Sequence, residues 1–149
     1  MTEGAGTRKS AMRNGIALAG WGFMCVFGLT VLGAETPPAD YSKAMKDIDA
    51  ATQSLQKALA AEDFDTVTKG AVIIIAAFPV IEKYWTGKDA SAVKWAQMGG
   101  RAAIDMRVTA GLKSVEGVAY SVKQLTDTCA QCHGAHREAL PDGSFQIKF

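Results

Sequence analysis

The sequence predicts an all-α fold, an antiparallel four-helix bundle running up-down-up-down. Three observations carry that prediction. Apolar residues recur at intervals of three and four through most of residues 40–140. The breaks between those runs are short, so consecutive helices must turn back on one another. The last run, finally, carries two cysteines and two histidines at the same helical spacing as its apolar stripe.

The first third of the chain stands apart. Residues 1–15 are polar and carry Arg8, Lys9 and Arg13, and Ile16–Leu32 is an uncharged apolar run. Small residues at Gly33 and Ala34 lead into Glu35, Thr36, Pro37 and Pro38. A basic start, a short apolar stretch and a small-residue release are the parts of an export signal. The expected organisation is therefore a leader over residues 1–33, cleaved after Gly33 or Ala34, and a single domain over residues 34–149. An uncleaved anchor is the alternative, although the run is short for a span and interrupted by Gly20, Gly22 and Gly28. Cleavage removes Cys25 and leaves only Cys129 and Cys132, so no disulfide framework remains. It also turns a net charge of +1 into −1, since three bases and Glu3 leave with the leader. Neither value favours a nucleic-acid partner.

The first helix is predicted over Asp40–Ala61, with Tyr41, Ala44, Met45, Ile48, Ala51, Leu55 and Leu59 on one face. Glu62 and Asp63 end it and can cap the second, Phe64–Phe78, which Pro79 should stop by removing a backbone donor. A loop, Pro79–Lys88, carries Tyr84, Trp85 and Gly87. Asp89 or Ser91 caps a third helix reaching Leu112 through Trp95, Met98, Ala102, Ile104, Met106 and Val108. Gly99 and Gly100 in that helix would let a bulky neighbour such as a porphyrin approach the backbone. The fourth, Ser114–Leu140, has the clearest stripe: Val115, Val118, Val122, Leu125, Cys129, Cys132 and His136. Pro141-Asp142-Gly143 should end it, leaving a short tail.

Within that last helix Cys129-Ala130-Gln131-Cys132-His133 is a c-type haem attachment pattern. Each thiol can add to one vinyl group, and the histidine that follows is then held against the iron as an axial ligand. A structural zinc site would need four ligands, and no second Cys pair or Cys/His cluster completes the set. A thioredoxin-like redox pair would follow a strand, and none is visible here.

The chain resembles the class II c-type cytochromes, the cytochrome c-prime superfamily. The haem motif lies near the C-terminus, and Cys129-Ala-Gln-Cys132-His133-Gly-Ala-His136-Arg137 follows the family's Cys-x-x-Cys-His-x-x-aromatic-Arg except at His136. Phe78-Pro79 with a following Trp is similar to the family's loop between the second and third helices. Lys43-Ala44-Met45-Lys46-Asp47 resembles the Lys-x-Met-Lys-Asp stretch of its Met-ligated branch, with Tyr41 replacing a basic residue often found a turn earlier. The resemblance implies a left-turning bundle, one covalent haem c, His133 as proximal ligand and Met45 as sixth ligand. It also implies Arg137 beside the proximal histidine and His136 in the aromatic position. In the other branch of the family an apolar side chain blocks the sixth site and small gases such as NO bind.

Each candidate has an ordinary reading beside it. Met45 on a buried stripe could be core packing, and Met98 and Met106 are weaker ligand candidates. Arg137 could be a solvated helix-end cation, and Arg101 or Arg107 could pair with a haem propionate or face solvent. The function expected is a periplasmic electron carrier, not an enzyme, serving redox partner proteins as a monomer or homodimer. A gas-binding protein with an open sixth site is the first rival. A haem subunit of a membrane oxidoreductase, held by an uncleaved leader, is the second; membrane attachment is expected only in that case.

Overall fold

The computed structural model describes residues 35–149, so the expected leader lies outside the described residues. Four helices follow in order: α1 (Ala39–Ala60), α2 (Phe64–Trp85), α3 (Ala90–Gly111) and α4 (Val115–His136). Each packs on the next, α1 on α2, α2 on α3 and α3 on α4, and the connections are so short that neighbours run antiparallel. A two-stranded hairpin, β1 (Arg137–Ala139) with β2 (Phe145–Ile147), completes the described residues.

The caps at Asp63 and Asp89 lie where the sequence puts them, and Ser114, expected as the first residue of the fourth helix, is its cap instead. Asp63 and Asp89 accept the Thr66 and Ala92 amides at 3.0 and 2.8 Å, and Ser114 accepts that of Gly117 at 3.1 Å. Two helices also end in the same way. Asp63 N–H donates to the Ala58 carbonyl and Ser114 N–H to that of Thr109, each wrapping a helix end round one left-handed residue. Those residues are Glu62, φ 52°, and Lys113, φ 54°. Glycine reaches that region without a Cβ penalty. Glu62→Gly and Lys113→Gly are each expected to raise stability by about 0.5–1 kcal/mol in denaturant unfolding, the reverse of an ordinary mid-helix glycine.

The α2 helix corrects the sequence reading. It passes through Pro79 and ends seven residues after Phe78, at Trp85. Proline leaves the Ile75 carbonyl without its usual donor, at a cost of about 3 kcal/mol. Beyond it, however, Ile81 and Trp85 continue the buried stripe of Ile74 and Phe78, and both are almost wholly inaccessible. Burying two such side chains stabilises by roughly 1.5–3 kcal/mol each, enough to outweigh the proline. Pro79 itself faces solvent. Although α2 is long and apolar enough to cross a membrane, its buried face packs between α1 and α3.

The α3 helix also turns a different face inward. Its buried residues are small, among them Ala92, Ala96, Gly99, Ala103 and Ala110, with Met106 the one large member. Met98, Ile104 and Val108, expected inside, are exposed. The protein side chain admitted by the two glycines is Phe78, whose ring occupies the place a Cβ on Gly99 would take.

The α4 helix stops at His136, four residues short of the expected Leu140. Arg137 takes extended dihedrals, φ −107° and ψ 126°, and its amide closes the helix on the His133 carbonyl. The expected tail is the hairpin. Its turn is shaped by Gly143 at φ 82° and by Asp142, whose carboxylate accepts from the Ser144 amide and hydroxyl.

Candidate functional site

Fully buried Leu55, Val67, Val118 and Leu125 pack the bundle toward the α1–α2 turn. Toward the opposite end, where α1 begins and α4 finishes, α1 and α4 stand apart. A cavity of about 740 Å3 lies between them. That volume falls in the range of about 300–1,000 Å3 found for ligand and cofactor sites. Pro37 to Thr52 form one side, Thr126 to Arg137 another, and Phe78, Ile81, Trp95 and Ala96 the floor.

All five residues singled out from the sequence line this one cavity: Met45 from α1, and Cys129, Cys132, His133 and Arg137 from α4 or its end. The spacing explains the α4 set. Positions three apart share a helix face, so both thiols meet the cavity, and the next residue lies about a third of a turn round. Both cysteines are free thiols. Burial pushes both thiols up, Cys132 to about 11 with help from Cys129 and Asp89, so each keeps its proton at neutral pH.

His133 is half-buried. Burial, and then the Arg137 charge, lower its pKa against a weaker opposite pull from Asp49, which holds the imidazole in the neutral form that binds metals. Arg137 is exposed, its guanidinium stacked 3.3 Å over the centre of the Phe145 ring.

Among the methionines of the described residues, Met45 alone lines the cavity. Met106 is sealed in the core, and Met98 is exposed on α3. Arg101 and Arg107 lie on the exposed side of α3 and do not reach the cavity; the cationic side chains lining it are Lys46 and Arg137. Lys43 and Lys123 are each paired one turn along their own helix, with Asp47 and Asp127.

His136 fills an aromatic position. Its ring lies 4.4 Å from Trp85 and 5.9 Å from Trp95, with Nδ1 3.1 Å from the Lys148 carbonyl. A carbonyl only accepts, so Nδ1 carries the proton. Two further contacts escaped the sequence reading. Trp95 Nε1 donates to Gln131 Oε1 at 3.1 Å, which ties the middle of the Cys-x-x-Cys segment to α3. Trp85 Nε1 donates to Tyr41 Oη at 3.2 Å, fixing the start of α1 to the end of α2. No pairing rule foretells such contacts between residues 36 and 44 positions apart. The hairpin side chains Phe145, Gln146 and Ile147 also line the cavity, and the sequence signal for them is the alternation of Phe145, Ile147 and Phe149 with polar residues after Pro-Asp-Gly.

Among the described residues no three His, Cys, Asp or Glu side chains converge to hold a metal ion by themselves. Comparison of the chain with family models, with curated proteins and with solved structures returned no match.

Proposed function

We propose that the cavity holds one haem, bound covalently through Cys129 and Cys132, and that the protein is an electron carrier. The observation that carries the reading is the convergence of both thiols, His133 and Met45 on a single cavity of cofactor size. The walls suit a flat apolar macrocycle with charged edges. Ile48, Phe78, Ile81 and Trp95 supply apolar surface, while Lys46 and Arg137 are available to acidic substituents.

Each residue has a role consistent with its surroundings. The reduced, protonated thiols would hold the haem, each adding its S–H across one of two vinyl groups, so that every thioether gains one C–S and one C–H bond in exchange for the S–H and the C=C π bond, with no oxidant required. Neutral His133 offers a ring nitrogen as proximal ligand, and Met45 offers a thioether from α1. His136, wedged between two tryptophans with Nδ1 committed to the Lys148 carbonyl, is assigned to packing rather than to iron. Bound haem would supply a one-electron ferric/ferrous couple, and the surrounding apolar wall would lower the local dielectric and set its potential. The expected setting is the periplasm, where c-type haem is attached, with redox proteins as partners and the superfamily resembled above as the family.

Expression in a bacterium that attaches c-type haem tests this directly. The exported protein should gain the mass of one haem, keep its colour after denaturation, and yield a haem-bearing peptide spanning Cys129 and Cys132. Cys129→Ser together with Cys132→Ser should abolish the covalent link. A wild type that emerges colourless, with both thiols free, sinks the reading.

A further inference from the structure

We propose that the Arg137–Ile147 hairpin is a latched lid over one end of the cavity and that Ile147 controls access to the His133 side. The inference deepens the proposed function, because what the lid shields is the site assigned above to haem.

A two-stranded hairpin with three residues in each strand is not stable alone, so something else must hold this one in place. Most of it is solvated: Arg137, Glu138 and Ala139 are all exposed. Ile147 is the exception, only 6% exposed, and with Phe145 and Gln146 it faces the cavity. The hairpin therefore adds Ile147 alone to the packed core, and it forms part of the cavity wall.

Its latches come from distant parts of the chain. Glu35 and Ile147 exchange backbone hydrogen bonds of 3.1 and 3.2 Å, adding a third extended segment to the hairpin. The Glu35 carboxylate is held in turn by Lys88 Nζ at 3.0 Å, from the turn between α2 and α3. Just beyond Ile147, the Lys148 amide donates to the His136 carbonyl at 3.0 Å, and its own carbonyl receives the His136 ring proton. These bonds are few and mostly near solvent, while the helices beneath share a continuous core. Such an element can open without unfolding the bundle. Opening would uncover the last turn of α4, with Cys132 and His133 on it.

Hydrogen exchange tests the lid on the exported full-length protein, on Ile147→Ala and on a chain stopped after Leu140. Amides of residues 129–137 should exchange at least tenfold faster in both variants, with peptides around Leu55 and Val118 unchanged. Unchanged exchange at 129–137 in both variants overturns the lid. An equal rise at Leu55 and Val118 also overturns it, because the hairpin would then be ordinary support for the fold. Ile147→Ala leaves the latches in place and decides the matter if the shortened chain does not fold. Should the protein carry no haem, the proposed function fails, while the exchange result still decides the lid.

Discussion

Met45→Ala is expected to leave the haem covalently attached and the bundle folded, yet convert a low-spin iron into a high-spin one that binds CO readily. Both thiols and His133 are untouched by the change. The wall of α1 nearest the site keeps Tyr41, Ile48 and Thr52. What disappears is the thioether, a soft ligand that favours ferrous iron, so the potential should fall as well. Among the described residues no other methionine can replace it without refolding, since Met106 is enclosed in the core and Met98 faces solvent. Visible and EPR spectra of the wild type beside Met45→Ala make the comparison. A wild type already high-spin would displace the electron-carrier reading in favour of gas binding at an open sixth site. A low-spin spectrum indifferent to the mutation would remove Met45 as ligand.

The elements readable from the sequence are those governed by near neighbours. The caps at Asp63, Asp89 and Ser114 follow from side chains reaching amides three residues on, a local geometry that composition announces. The α1 stripe and the motif Cys129–His133 follow near-neighbour spacing, which sets Met45 and both thiols toward one cavity; Arg137 reaches it from β1 and not from the helix expected to carry it. Failures occur where distant packing overrides a local rule. Pro79 reads as a stop because the burial of Ile81 and Trp85 is decided by neighbouring helices. The α3 stripe expected from the sequence holds at Ala102 and Met106 and fails at Met98, Ile104 and Val108. Close approach to α2 instead requires Ala96, Gly99 and Ala103 inside, which leaves Ile104 and Val108 out. The hairpin is hidden for another reason: the stripe ending in Cys132 and His136 continues the helical period up to Arg137, and only the strand after Pro141-Asp142-Gly143, with Phe145, Ile147 and Phe149, alternates.

That close approach yields a second large effect, with opposite signs at adjacent glycines. Gly99→Leu should destabilise the protein by about 1–3 kcal/mol or more, the usual cost of overfilling a packed contact. A Cβ there meets Phe78 Cζ at 2.2 Å, Cε1 at 2.5 Å and Cε2 at 3.0 Å, so the ring must leave its place. Gly100→Ala is the control. Its Cβ would lie 3.4 Å from Phe78 Cβ, an ordinary contact, and alanine gains up to about 1 kcal/mol of helix propensity. Thermal unfolding should therefore show Gly99→Leu several degrees below the wild type and Gly100→Ala level with it or above. Phe78 also belongs to the cavity floor, so displacing its ring reshapes the volume assigned to haem. Gly99→Leu is accordingly expected to lower the fraction of exported chains that carry haem. Combining it with Phe78→Ala should recover part of the stability, as coupled neighbours do in a double-mutant cycle. Equal unfolding temperatures for Gly99→Leu and Gly100→Ala would contradict the account of α2 and α3 meeting through the Phe78 ring.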